Sequence, residues 1–182
     1  MKKSFAITVV VLLSSAMFFV GVCGAGPTRA TKGTWSGSTT TGLPTGACLT
    51  AGGVAEVSAE GTGVASPWGA STWVGDKTCL YLLIPWPPGS FTDGLQVVQG
   101  FGTATVTTAN GDKVYLEMVF TFIGNPAPQA DPQGQWTQDV DITGGTGKYS
   151  NAFGHAFSSG VWTNNNYGTL KWEGTHTGTI EY

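Results

Sequence analysis

His155 and His176 are the only histidines of the 182-residue chain, and together with Tyr115 they are its acid–base candidates. Each histidine lies in an alternating stretch rich in aromatics. Phe153, His155, Phe157 and Ser159 alternate with Gly154, Ala156 and Ser158, while Leu170, Trp172, His176, Ile180 and Tyr182 fall in one register. Two imidazoles entering one cavity would form a proton-transfer pair or part of a metal site. With no third ligand in view, packed or hydrogen-bonded histidines outweigh that reading, and no catalytic residue or metal ligand is assigned.

The carboxylates and glycines test poorly as sites. Glu56 and Glu60 share one face of an extended stretch at ~13 Å, too far for a glycosidase pair on one strand, and Glu117 lies opposite an apolar face. Gly144-Gly145-Thr146-Gly147-Lys148 resembles a phosphate loop, but the motif's first glycine falls at Ile142 and Tyr149 replaces the hydroxyl that would meet magnesium. Asp139, Asp141, Thr143 and Gly144 have the opening spacing of a calcium loop, yet its twelfth position is Ser150 rather than a bidentate Glu. The serine elbow Gly-x-Ser-x-Gly is absent. No cofactor is implied. The aromatics offer more: Trp136, Phe157, Trp172 and Phe120 are the candidate contacts for an apolar or aromatic ligand, weighed against a role in core packing.

These side chains need strands to position them. Gly makes up 28 residues, about twice the usual share, and charged residues only 10%. With frequent Thr, Val and Trp, this composition suits short strands and tight turns. Lys113–Phe122 is the clearest strand: Val114, Leu116, Met118, Phe120 and Phe122 share the face expected to point inward. It pairs with 95–108 through Asn110-Gly111, a hairpin turn signal. Strands are also expected at 31–40, from 54, at 70–74 and 78–84 around a Gly75-Asp76 turn, at 135–143, from 153 and at 169–182. Proline-rich loops at 85–94, carrying Trp86 and Phe91, and at 124–134 fall at one rim with the Asn164–Asn166 turn. The glycine-rich turn 143–154 falls at the other, as a structural closure. The fold class is all-β: one antiparallel barrel of eight or nine strands.

Met1-Lys2-Lys3, an apolar run over 5–22 and small residues at 24–26 read as a signal peptide, 1–25, before a single domain, 26–182. Secretion, extracellular or periplasmic, follows, with no stable membrane insertion after cleavage. An uncleaved anchor or lipidation at Cys23 is the alternative. Cleavage leaves six basic residues against 11 acidic ones and moves the net charge from -3 to -5, which excludes nucleic acid as a partner. It also leaves Cys48 and Cys79, an even pair in an oxidising compartment, and a disulfide between them is expected.

Three stretches, 61–69 (Gly-Thr-Gly-Val-Ala-Ser-Pro-Trp-Gly), 107–112 (Thr-Thr-Ala-Asn-Gly-Asp) and 142–154 (Ile-Thr-Gly-Gly-Thr-Gly-Lys-Tyr-Ser-Asn-Ala-Phe-Gly), resemble the allene oxide cyclase and dirigent barrel superfamily, nearest its secreted bacterial relatives. Where those relatives tend to show Thr-His-Leu-Gly, this chain has Ser66-Pro67-Trp68-Gly69. The resemblance implies an eight-stranded calycin-like barrel, often trimeric, in a group that includes a cyclase of an oxylipin epoxide and proteins directing phenoxy-radical coupling. It carries no catalytic position onto this sequence. The leading expectation is a secreted barrel, not an enzyme, that binds a small apolar or aromatic molecule inside. A cyclase or isomerase, and a structural or surface-interaction protein with a filled barrel, are the alternatives.

Overall fold

The computed structural model describes residues 26–82, 96–124, 133–166 and 169–182. The expected signal segment, the loop around Trp86 and Phe91 and most of the loop 124–134 lie outside the described residues. Eight strands run β1 (Arg29–Gly42), β2 (Ala55–Ser66), β3 (Gly69–Leu82), β4 (Gln96–Thr108), β5 (Lys113–Gly124), β6 (Gln133–Gly145), β7 (Phe153–Asn166) and β8 (Thr169–Glu181). Each is antiparallel to its neighbours, and β8 returns to pair with β1, so the sheet closes into an up-and-down barrel. The expected all-β barrel is borne out, with eight strands.

Two local expectations are corrected. Gly75-Asp76 is no turn: it lies inside β3, where the register against β4 shifts between Gly75 and Cys79. A glycine in a strand interior often marks such a bulge. Between β1 and β2 a short helix, α1 (Gly46–Thr50), carries Cys48 to Cys79 on β3, and the two form the expected disulfide. Glu56 accepts hydrogen bonds from the backbone N–H and hydroxyl of Thr45, which fixes the start of that helix.

Inward positions explain the glycine content. Val114, Leu116, Met118 and Phe120 of β5 are buried, as the alternation predicts. On β1 and β8 the inward positions instead set Trp35 and Trp172 beside glycines such as Gly37 and Gly174, and β2 turns only small residues such as Gly61 inward over the same stretch. A methyl group at Gly61 would lie 2.6 Å from Trp172 Cη2, one at Gly37 2.5 Å from Trp172 Cζ2, and one at Gly100 would strike the ring of Phe120. The missing side chains are the space that the rings occupy, which is how a small barrel reaches interior packing density with so many tryptophans. The outer faces of β1, β2 and β8 carry Thr, Ser, Lys and Glu, the reverse of the apolar belt on a lipid-facing barrel. Among the described residues no helix is long and apolar enough to cross a membrane.

The rims differ. At one, the strands are joined by Pro67-Trp68, by Ala109–Asp112 and by the glycine-rich segment, where a 3-10 turn at Gly147–Tyr149 drops Tyr149 into the barrel end, fully buried. Ile180, Val106, Val114 and Trp68 complete that plug. The other rim carries α1 and the disulfide.

Candidate functional site

Above the plug lies an interior cavity of about 90 Å³. Its walls include Trp35, Trp73, Trp136, Trp172, Phe120 and Met118. Trp172 meets Trp73 edge-on at 5.6 Å and Trp136 at 6.0 Å between ring centroids, so one tilted aromatic chain spans the barrel. Phe120 and Phe122 form a further edge-on pair at 5.1 Å.

His176 sits at the floor of this cavity, 3% exposed, between Trp35 and Trp68 and stacked on the latter at 5.4 Å. Its protonation state follows from its partners. The Trp35 indole N–H, a donor only, lies 2.7 Å from His176 Nδ1, so Nδ1 must be the unprotonated acceptor. The proton then resides on Nε2, which donates to Thr31 Oγ1 at 2.7 Å. Burial lowers the pKa from 6.5 to about 4, and the imidazole is neutral at pH 7. Both nitrogens are engaged, leaving neither free to take up or deliver a proton.

Four other polar side chains line the same chamber: Thr39, Thr78, Gln138 and Ser158. Gln138 on β6 is directly opposite Ser158 on β7, and Ser158 is directly opposite His176 on β8, so a polar row crosses three adjacent strands. Thr39 on β1 also faces the cavity. The Gln138 amide nitrogen has the Met118 sulfur, a weak acceptor, at 2.6 Å. The indole N–H groups of Trp68 and Trp162 are buried with no partner. Among the described residues no Asp, Glu, Lys or Arg lines the cavity.

The candidates named from sequence divide between the two faces of the sheet. Trp136, Trp172, Phe120 and His176 converge on the chamber. Phe157 is instead on the outer face and 45% exposed, and Tyr115, also outside, is 41% exposed. His155 is outside as well: its Nδ1 donates to Asp141 Oδ1 at 2.9 Å, with Asp139 Oδ1 3.8 Å from Nε2. The pairing of two histidines in one cavity is therefore corrected. They sit at odd and even positions on two strands whose register makes Ser158, not His155, the neighbour of His176. Sequence reading missed Gln138, Ser158, Thr39, Trp35, Trp68 and Trp73. The alternation of Trp136 and Val140 placed Gln138 on the inward face and could have found it.

Among the described residues, no group of three His, Cys, Asp or Glu is arranged to hold a metal ion. The outer surface has its own concavity, of about 1130 Å³, across β1, β2, β3, β4, β7 and β8, lined by Thr34, Thr62, Thr72, Val64, Val161 and Thr175 among others. No family model, curated protein or solved structure matches the chain.

Proposed function

We propose that the protein is a secreted, non-catalytic barrel that binds a small, ring-sized molecule in its interior. The observation that carries this reading is the cavity walled by tryptophan and phenylalanine, with the opposed pair Gln138 and Ser158 lining it at one level. Its size sets the ligand class: about 90 Å³ is well below the ~300–1,000 Å³ of sites for drug-sized ligands, and suits a single ring or a short chain. The plug of Tyr149, Trp68 and Ile180 favours entry from the opposite rim, where α1 lies. The Cys48–Cys79 bond supports an oxidising compartment, and with it removal of segment 1–25 during export. The eight-stranded closure is compatible with the resemblance to allene oxide cyclase and dirigent barrels. A cyclase or isomerase needs a group free to exchange a proton in the cavity, and His176 is committed to Trp35 and Thr31.

The test is native mass spectrometry of the protein from its source, with tryptophan fluorescence during titration by single-ring compounds. A retained mass or saturable quenching, weakened in Trp172→Leu, supports the reading; no ligand and no quenching by any ring compound overturns it. That second outcome would favour a filled barrel with a structural or surface role, a reading supported by how little interior space the rings leave.

A further inference from the structure

We infer that the interior site selects a neutral ring carrying a hydrogen-bond donor beside an acceptor, with a cyclic amide as the simplest member of the class. This rests on the reading of the barrel interior as a binding site and adds the chemistry of the ligand.

Charge comes first. Among the described residues the cavity wall holds no Asp, Glu, Lys or Arg, and its one titratable group, His176, gives both nitrogens to Trp35 and Thr31. An anion or cation entering this chamber would lose its hydration and meet no opposite charge, a cost of several kcal/mol. The occupant is neutral.

Polarity comes second. A wholly apolar occupant would leave Gln138 and Ser158 unserved in a dry chamber, each a penalised group. Within the described residues the Ser158 hydroxyl and the Gln138 carbonyl oxygen have no hydrogen-bond partner, and the Gln138 N–H has only a thioether. The two residues are a directly opposed cross-strand pair on the inward face, a spacing of about 5 Å between Cβ atoms. A carboxamide offers an acceptor and a donor side by side, and its complement is a ligand with a donor and an acceptor side by side. Ser158 supplies a second donor to the ligand carbonyl. The flat walls at Trp136, Trp172 and Trp73 suit a planar ring, and the volume admits one ring.

Isothermal calorimetry with 2-pyridone, benzene and benzoate tests this on the protein and on its Gln138→Leu and Ser158→Ala variants, after thermal unfolding shows each variant folded. The expectation is 2-pyridone binding roughly tenfold tighter than benzene, the worth of about one net hydrogen bond, and benzoate binding weakest. In each variant the preference for 2-pyridone should fall several-fold, with benzene binding no weaker than in the unaltered protein. If benzene binds and 2-pyridone is no better, or if both variants keep the full preference, this inference fails and the binding site stands. Tightest binding by benzoate also overturns it. If none of the three binds, the interior-site reading falls and this inference with it.

Discussion

At the scale of single residues, His176 couples the cavity floor to pH. The folded pKa of about 4 lies below the ordinary 6.5, so the unfolded chain binds this proton more readily than the folded one. The associated stability is complete above pH 6.5 and is lost as pH falls toward 4, in total about 3 kcal/mol. Protonation would also put a second N–H against the Trp35 N–H, where no acceptor remains. Urea unfolding between pH 7 and 4 should show this loss, and a His176→Gln variant should show a shallower dependence over the same window. Equal slopes in the two proteins would remove His176 from the account. By contrast His155, exposed between two aspartates on the outside, can be replaced by Ala with a change in stability within about 0.5 kcal/mol.

At the scale of elements, strands and turns carry different parts of the stability. Gly147 has φ +57°, and a methyl group there would also strike the Asp112 carboxylate. Gly147→Ala should therefore cost about 1 kcal/mol or more, seen as a lower unfolding midpoint with ligand affinity unchanged. Gly100 tests the packing of β4 on β5, because a Cβ at this position would meet only the Phe120 ring among its nearest atoms. Gly100→Ala should lose roughly 1–3 kcal/mol by overpacking, and Phe120→Leu in the same chain should recover part of it; additive losses in the double variant would refute the complementarity. Removing the link between α1 and β3 with Cys48→Ala and Cys79→Ala should cost about 2–4 kcal/mol in denaturant titrations, given a sequence separation of 31 between the two cysteines.

The same elements explain what the sequence disclosed. β5 was legible because its two faces differ in polarity: Leu116, Met118 and Phe120 go in, while Glu117 and Lys113 stay out. β7 was not. Its inward residues up to Gly160 are Gly154, Ala156, Ser158 and Gly160, its outward ones include Phe153, Phe157 and Val161, and over that stretch hydrophobic alternation alone points the wrong way. The space inside β7 is filled from other strands, with Trp136 of the neighbouring β6 directly opposite Gly160, so its small residues follow from packing that no local window contains. The disulfide was readable from cysteine number. The polar row of Gln138, Ser158 and His176 was not, since it exists only once three strands are in register.

For the whole molecule, the seam between β1 and β8 has a kinetic consequence. Arg29 pairs with Ile180 and Thr40 with Thr169, so the last ladder joins the two ends of the domain. Every other ladder forms between consecutive strands, and closure alone requires the entire chain. Until β8 is available, the curled sheet has two bare edges, on β1 and β7, each a template for pairing with another molecule. Long-range closure of this kind is slow and exposed to aggregation. A chain ending at residue 168 should thus lose the monomeric folded state and sediment as aggregates, while supplying residues 169–182 as a separate peptide should restore part of the soluble material by strand addition.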